Sequence, residues 1–162
     1  MTETHLHLLI THLPIFGSIL GGLVLAYGLL TKSNHAKIAA YGLLIISSIG
    51  AGISYLTGEA AEETAETIQG VAKEMIDQHE DFAVIALIAL IISGIASLFG
   101  LFLTLRKSAL IKSAALITLF ISLTGFVLVA RTGYLGGQIR HTEIKSNPVL
   151  PEQSGKNEKK DY

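Results

Sequence analysis

Cysteine and tryptophan are both missing from this 162-residue chain, and proline occurs only three times. Without cysteine there is no disulfide, no thiolate-ligated metal and no haem attached through thioether bonds. Without tryptophan, the acids lack a visible aromatic surface for stacking sugars, so a glycosidase pair of carboxylates finds no support. Charge is scarce as well, at 15% of residues against about 25% in a water-soluble domain. Ser-x-x-Lys, Gly-x-Ser-x-Gly and phosphate-loop patterns do not occur in their required contexts, which leaves hydrolase and ATPase readings without a signature. No basic patch alternates with aromatics, so nothing points to nucleic acid. No basic stretch precedes the first apolar run, unlike the n-region of a cleaved signal peptide.

What the chain has is length of apolar sequence. Half of its residues are hydrophobic, and they are contiguous. Four runs, near 8–30, 38–57, 82–105 and 110–130, reach the roughly 20 residues needed to cross hydrocarbon. Backbone groups in lipid must pair within the chain, which at this run length requires helices. The expected fold is all-α: a polytopic membrane protein with a four-helix transmembrane bundle in residues 1–144. The tail, 145–162, carries two prolines and mixed charge and is expected to be disordered.

The charges lie in bands of alternating sign. The gaps at 31–37 and 106–112 hold Lys32, Lys37, Arg106, Lys107 and Lys112 and no acid. The gap at 58–81 holds eight acids against one base, Lys73. Short positive loops stay cytoplasmic, so both termini are expected outside, in an N-out, C-out layout. Between the second and third spans, Ala61, Ala65, Ile68, Ala72, Met75 and His79 follow a helical stripe. This predicts an amphipathic extracytoplasmic segment, broken near Gly70, that turns His79 towards the protein. Pro14 either opens the regular part of the first helix or kinks a helix begun at Thr4. Gly17 and Gly21 form a small-xxx-small seam, as do Ser93 and Ser97. Gly133, Gly136, Gly137 and, less readily, Gln138 are positions that can adopt backbone geometries closed to other residues or end the last helix. Gly50 and Thr57-Gly58 recur with the same spacing as Gly125 and Thr132-Gly133, a sign of internal duplication in which His12 and His79 open equivalent spans.

Five of the six histidines, His5, His7, His12, His79 and His141, fall on the acidic side, and only His35 on the basic side. A b-type haem needs no cysteine, only imidazoles from facing helices and an apolar slot. The expected ligands are His12 and His79, then His7 and His141, with Arg131 and Arg140 placed for the propionates. Such a protein would be a membrane electron-transfer or cofactor-carrying subunit. An alternative is a Zn, Cu or Fe ion held by the same histidines with a carboxylate from Glu59, Glu74 or Glu80. His7 and His12 lie five residues apart, roughly 140° around a straight helix, so one metal would need a bend between them. A third alternative is a non-catalytic scaffold or assembly subunit, whose histidines and arginines anchor helix ends at the interface.

The segments His7-Leu8-Leu9-Ile10-Thr11-His12-Leu13-Pro14 and Thr132-Gly133-Tyr134-Leu135-Gly136-Gly137 resemble two signatures of a bacterial family of four-span membrane proteins, the domain of unknown function 2231. That family carries an early His-Pro-x-x-x-His-x-Pro and a late Thr-Gly-Trp-Leu-Gly-Gly. Here Leu8 replaces the first proline and Tyr134 the tryptophan, and the resemblance covers about residues 5–142. It implies the four-span fold, a bacterial inner (cytoplasmic) membrane location with the histidine-rich side facing the periplasm, and later family histidines at His79 and His141. It also implies redox work beside cytochrome-type partners, without naming ligands.

Overall fold

The computed structural model describes residues 3–67, 71 and 73–140; of Arg140 it describes the backbone alone. The chain forms six helices there: α1 (Glu3–Ile10), α2 (His12–Leu30), α3 (Asn34–Leu56), α4 (Gly58–Glu66), α5 (Lys73–Leu105) and α6 (Ile111–Arg140). Four helical rods, α1 with α2, α3, α5 and α6, are long and apolar enough to cross a membrane. The protein is a multi-pass membrane protein of all-α class.

The four rods close into a ring. The α3 helix packs against α2 and α5, and α6 packs against α5 and α2, leaving α2 diagonal to α5. Large side chains face outwards, among them Leu23, Ile49, Ile95 and Phe120. Small and hydroxyl side chains face inwards, including the fully buried Ser18, Ser47, Ser97 and Ser122. This inversion of a soluble protein suits lipid, where close van der Waals packing and interhelical hydrogen bonds drive association. Gly17 lets α3 approach so closely that a Cβ there would sit 2.8 Å from Ser47 Cβ. Ser47 then donates to the Pro14 carbonyl at 3.0 Å. Most other core hydroxyls bond within their own helix, as Ser97 does to the Ser93 carbonyl.

Three local expectations are revised. The first helix starts at Glu3 and is interrupted at Thr11, so Pro14 stands in the first turn of α2 behind a separate α1. Proline lacks the N–H that the Ile10 carbonyl would accept from. The glycines at 133, 136 and 137 do not end the last helix, which runs about ten residues past 130 to Arg140. The third span also begins earlier, at Lys73, so His79 rides on the spanning helix itself; α4 is a separate helix. Gly70, the expected break, lies outside the described residues, as do 145–162.

Duplication extends much further than the two Thr-Gly pairs. From Lys32–Gly58 to the segment 75 positions later, Lys107–Gly133, eleven of 27 residues are identical. The matches share structure as well as type. Lys32 and Lys107 both take positive φ, 56° and 52°, in the turn after a helix. Ser33 and Ser108 both accept from backbone N–H groups at the following helix start. Ala40 and Ala115 are fully buried, and so are Ser47 and Ser122. Thr57 donates to the Ile53 carbonyl and Thr132 to Leu128, four residues back in each case. The bundle is therefore two like-oriented hairpins, α2–α3 and α5–α6, and this puts both histidine-bearing helix starts at one end.

Candidate functional site

At the end of the bundle opposite Lys32 and Lys107, two imidazoles are each held against a neighbouring helix. His7 on α1 lies against the end of α3, where its Nδ1–H donates to the Ser54 carbonyl at 2.9 Å and lies 3.3 Å from Thr57 Oγ1. The last carbonyls of a helix lack intrahelical donors, so this imidazole serves as a cap from outside. His79 on α5 makes the parallel contact with α6, its Nδ1–H donating to the Thr132 carbonyl at 3.0 Å. The two rings are close enough for their charges to interact.

A carbonyl can only accept, so Nδ1 carries the proton in each ring. In the neutral form, Nε2 then keeps its lone pair. An imidazole tied through Nδ1–H to a carbonyl is the arrangement that orients metal-ligating histidines. Gly136 makes room for it: a Cβ there would stand 3.0 Å from His79 Cε1. The late Thr-Gly-Tyr-Leu-Gly-Gly segment is thus a helical seat for an imidazole, with Thr132 supplying the acceptor and Gly136 the space. Gly133 has a separate role, because a Cβ there would meet Ile15 Cδ1 of α2 at 2.9 Å and make that side chain shift.

The two stations are not at equal depth. In the repeat register, His7 matches Phe82 and His79 matches Thr4. His79 therefore sits three residues nearer the acidic end, about 4.5 Å by helix rise. Thr4 occupies its own station by hydrogen bonding, to the Ala60 carbonyl and to Thr64 of α4. Phe82 lies under the Arg131 guanidinium, 5.7 Å from the ring centroid.

Other candidates stand apart from this pair. His12 Nδ1 donates to the Leu8 carbonyl of its own chain segment at 3.0 Å, and its exposed ring stacks on Phe16. The structure thus gives His79 and His7 parallel carbonyl anchors at one end of the bundle and leaves His12 on the outer surface. Arg131 stacks on Phe82 and Tyr134, and no ion pair links it to the acids of α4 among the described residues. His5 is exposed near the start of α1, and His35 is exposed at the basic end. His141 and the Arg140 side chain lie outside the described residues.

Among the described residues, no three or more His, Asp or Glu side chains converge as a metal cage. The acids instead crowd one another. Slight burial, then Glu80 and Glu66, raise the Glu62 carboxyl above its usual range; Lys73 opposes them and Asp77 adds to them. The single described ion pair there, Lys73 with Glu66 at 3.5 Å, is exposed and such pairs are worth little.

Sequence reasoning placed His79 inward from its stripe. It did not find the Ser54 and Thr132 carbonyls, because backbone acceptors leave no residue-type signal. The available signal was the repeat itself, which sets a Thr-Gly at the matching position of both helices that receive an imidazole. Comparisons with protein-family models, with curated proteins and with solved structures found no match.

Proposed function

We propose that this protein is a membrane electron-transfer or cofactor-carrying subunit that binds b-type haem between His7 and His79. One observation carries the reading: two imidazoles on different helices at one end of the bundle, each fixed through Nδ1–H to a carbonyl, each with Nε2 uncommitted. Two such ligands complete a haem, whose other four iron positions belong to the macrocycle. A lone Zn, Cu or Fe ion would ask for a third and usually a fourth protein ligand, which the described residues do not assemble. The donor set therefore fits haem better than a bare ion.

In this reading His7 and His79 hold the iron, and Ser54 and Thr132 hold the imidazoles through their carbonyls. Arg131 is the cation available to a propionate, with Arg140 beyond it on α6. Bound haem supplies one-electron chemistry. The chain supplies ligand orientation and an apolar, lipid-screened surround. The basic turns lie in the cytoplasm and the histidine end faces the periplasm of a bacterial inner membrane. The partner is a cytochrome-type redox protein, and the family is the domain of unknown function 2231.

The decisive measurement is an absorption spectrum of detergent-purified protein made with haem in supply. A Soret band with the sharp reduced bands of low-spin bis-imidazole iron is expected. His7→Ala and His79→Ala each abolish the low-spin form, whereas His12→Ala leaves it. A protein without any Soret band sinks the haem reading. Stoichiometric metal without haem would support the ion alternative, and neither group, with wild-type folding after replacement of all outer histidines, would support the scaffold alternative.

A further inference from the structure

The two hairpins differ at their basic ends, and the difference leaves a groove in one of them. In the first hairpin the seam is shut. A Cβ on Gly21 would stand 2.7 Å from Leu44 Cδ2, and one on Gly28 3.0 Å from the Lys37 backbone nitrogen. The matching positions in the second hairpin are Ala96 and Leu103. With side chains at these positions the second seam lacks that glycine contact, although Thr118 of α6 still reaches the Ala96 carbonyl of α5 at 3.3 Å. An apolar cleft of about 250 Å³ lies there, lined by Ala96, Phe99, Leu103, Leu110, Ser113 and Ile117, among others.

The cations change with it. Lys37 is buried in the closed hairpin, its Nζ donating to Asn34 Oδ1 at 3.2 Å. Its counterpart Lys112 is exposed, has Ala109 three residues before it where Lys37 has Asn34, and has no polar partner among the described residues. Arg106 replaces Thr31 in the adjoining turn, beside Lys107. The groove is lined by lipid-exposed side chains, and Arg106, Lys107 and Lys112 stand in the turn and first helical turn that join the two helices forming it.

We infer that the α5–α6 groove is a binding site for an anionic phospholipid, with one acyl chain in the cleft and its phosphate at Arg106, Lys107 and Lys112. Apolar lining alone would take any chain; the unpaired Lys112 and its neighbours select the headgroup charge. The site is independent of the histidine end and of the haem reading.

Native mass spectrometry of the purified protein, titrated with phosphatidylglycerol or phosphatidylcholine, tests it. Phosphatidylglycerol is expected to be retained preferentially. Lys112→Gln, with Arg106→Gln added, weakens that retention by about fivefold per cation removed. Lys32→Gln, in the closed hairpin's turn, leaves it unchanged. Ser113→Phe fills the cleft from its exposed edge and removes retention of both lipids; Ile117→Trp does the same from another wall should the first variant not fold. Equal retention of the two lipids by the wild type overturns the proposal. So does a Lys32→Gln loss as large as that of Lys112→Gln, or full retention in a folded cleft-filled variant.

Discussion

The α2–α3 and α5–α6 hairpins share the same turn and carry the same Thr-Gly, yet they close differently. In the first, glycines at 21 and 28 bring the helices together and bury Lys37. In the second, Ala96 and Leu103 stand at the matching positions and line a cleft, and Lys112 stays outside. At the opposite end the histidines have shifted by three residues, with Phe82 and Thr4 in the stations left vacant. A duplicated bundle keeps what both halves need for packing, here Ala40 with Ala115 and Ser47 with Ser122, and diverges where ligands or lipids meet it.

The largest test of that comparison writes the second hairpin into the first. Gly28→Leu copies Leu103 into a seam where even a Cβ would crowd Lys37 and Ala36. Overpacking of this kind costs about 1–3 kcal/mol or more, so thermal unfolding in detergent should fall by several degrees. Gly42→Leu, at a position where an added Cβ would meet nothing within 4 Å, should leave the midpoint near the wild type. Equal losses would mean that the seam is not closed as described.

A smaller difference is expected between the matched serines. Ser47 bonds across to the Pro14 carbonyl, while Ser122 bonds back to Leu119 in its own helix. Interhelical hydrogen bonds in membranes average about 0.6 kcal/mol. Ser47→Ala should lose roughly that much, and Ser122→Ala less; the same melts, compared as a pair, decide the order.

The smallest effect belongs to the acidic region, which has no counterpart in the second hairpin. A carboxyl with its folded pKa raised disfavours folding once it ionises, and the penalty is relieved as pH falls through that pKa. Glu62→Gln should therefore raise the melting temperature slightly at neutral pH and make no difference in acid, below the titration of Glu62. A gain that persists in acid would assign the effect to something other than charge.

Much of this was legible in the chain. The four spans were, because hydrocarbon length and unbroken apolar sequence leave few options. The turn from Lys32 to Lys37 and its copy at Lys107 to Lys112 were visible as charge bands. The helix ends were not: residues 73–81 read as cap because they are acidic, and they are the outer turns of α5 because nothing in water forbids extending a helix already nucleated in lipid. Arg131 was legible as a cation at the outer part of the last helix, but its stacking on the aromatic faces of Phe82 and Tyr134 was not.

The histidines mark the boundary between the two kinds of knowledge. Residue order alone puts five of them on the acidic side and His79 on an inward stripe, since helical periodicity and charge asymmetry are local properties. Which imidazole gains the same anchor as His79 depends on how the helices assemble. His7 and His12 point in directions about 140° apart, and only the closed ring of helices brings the end of α3 beside His7 and leaves His12 on the outer surface.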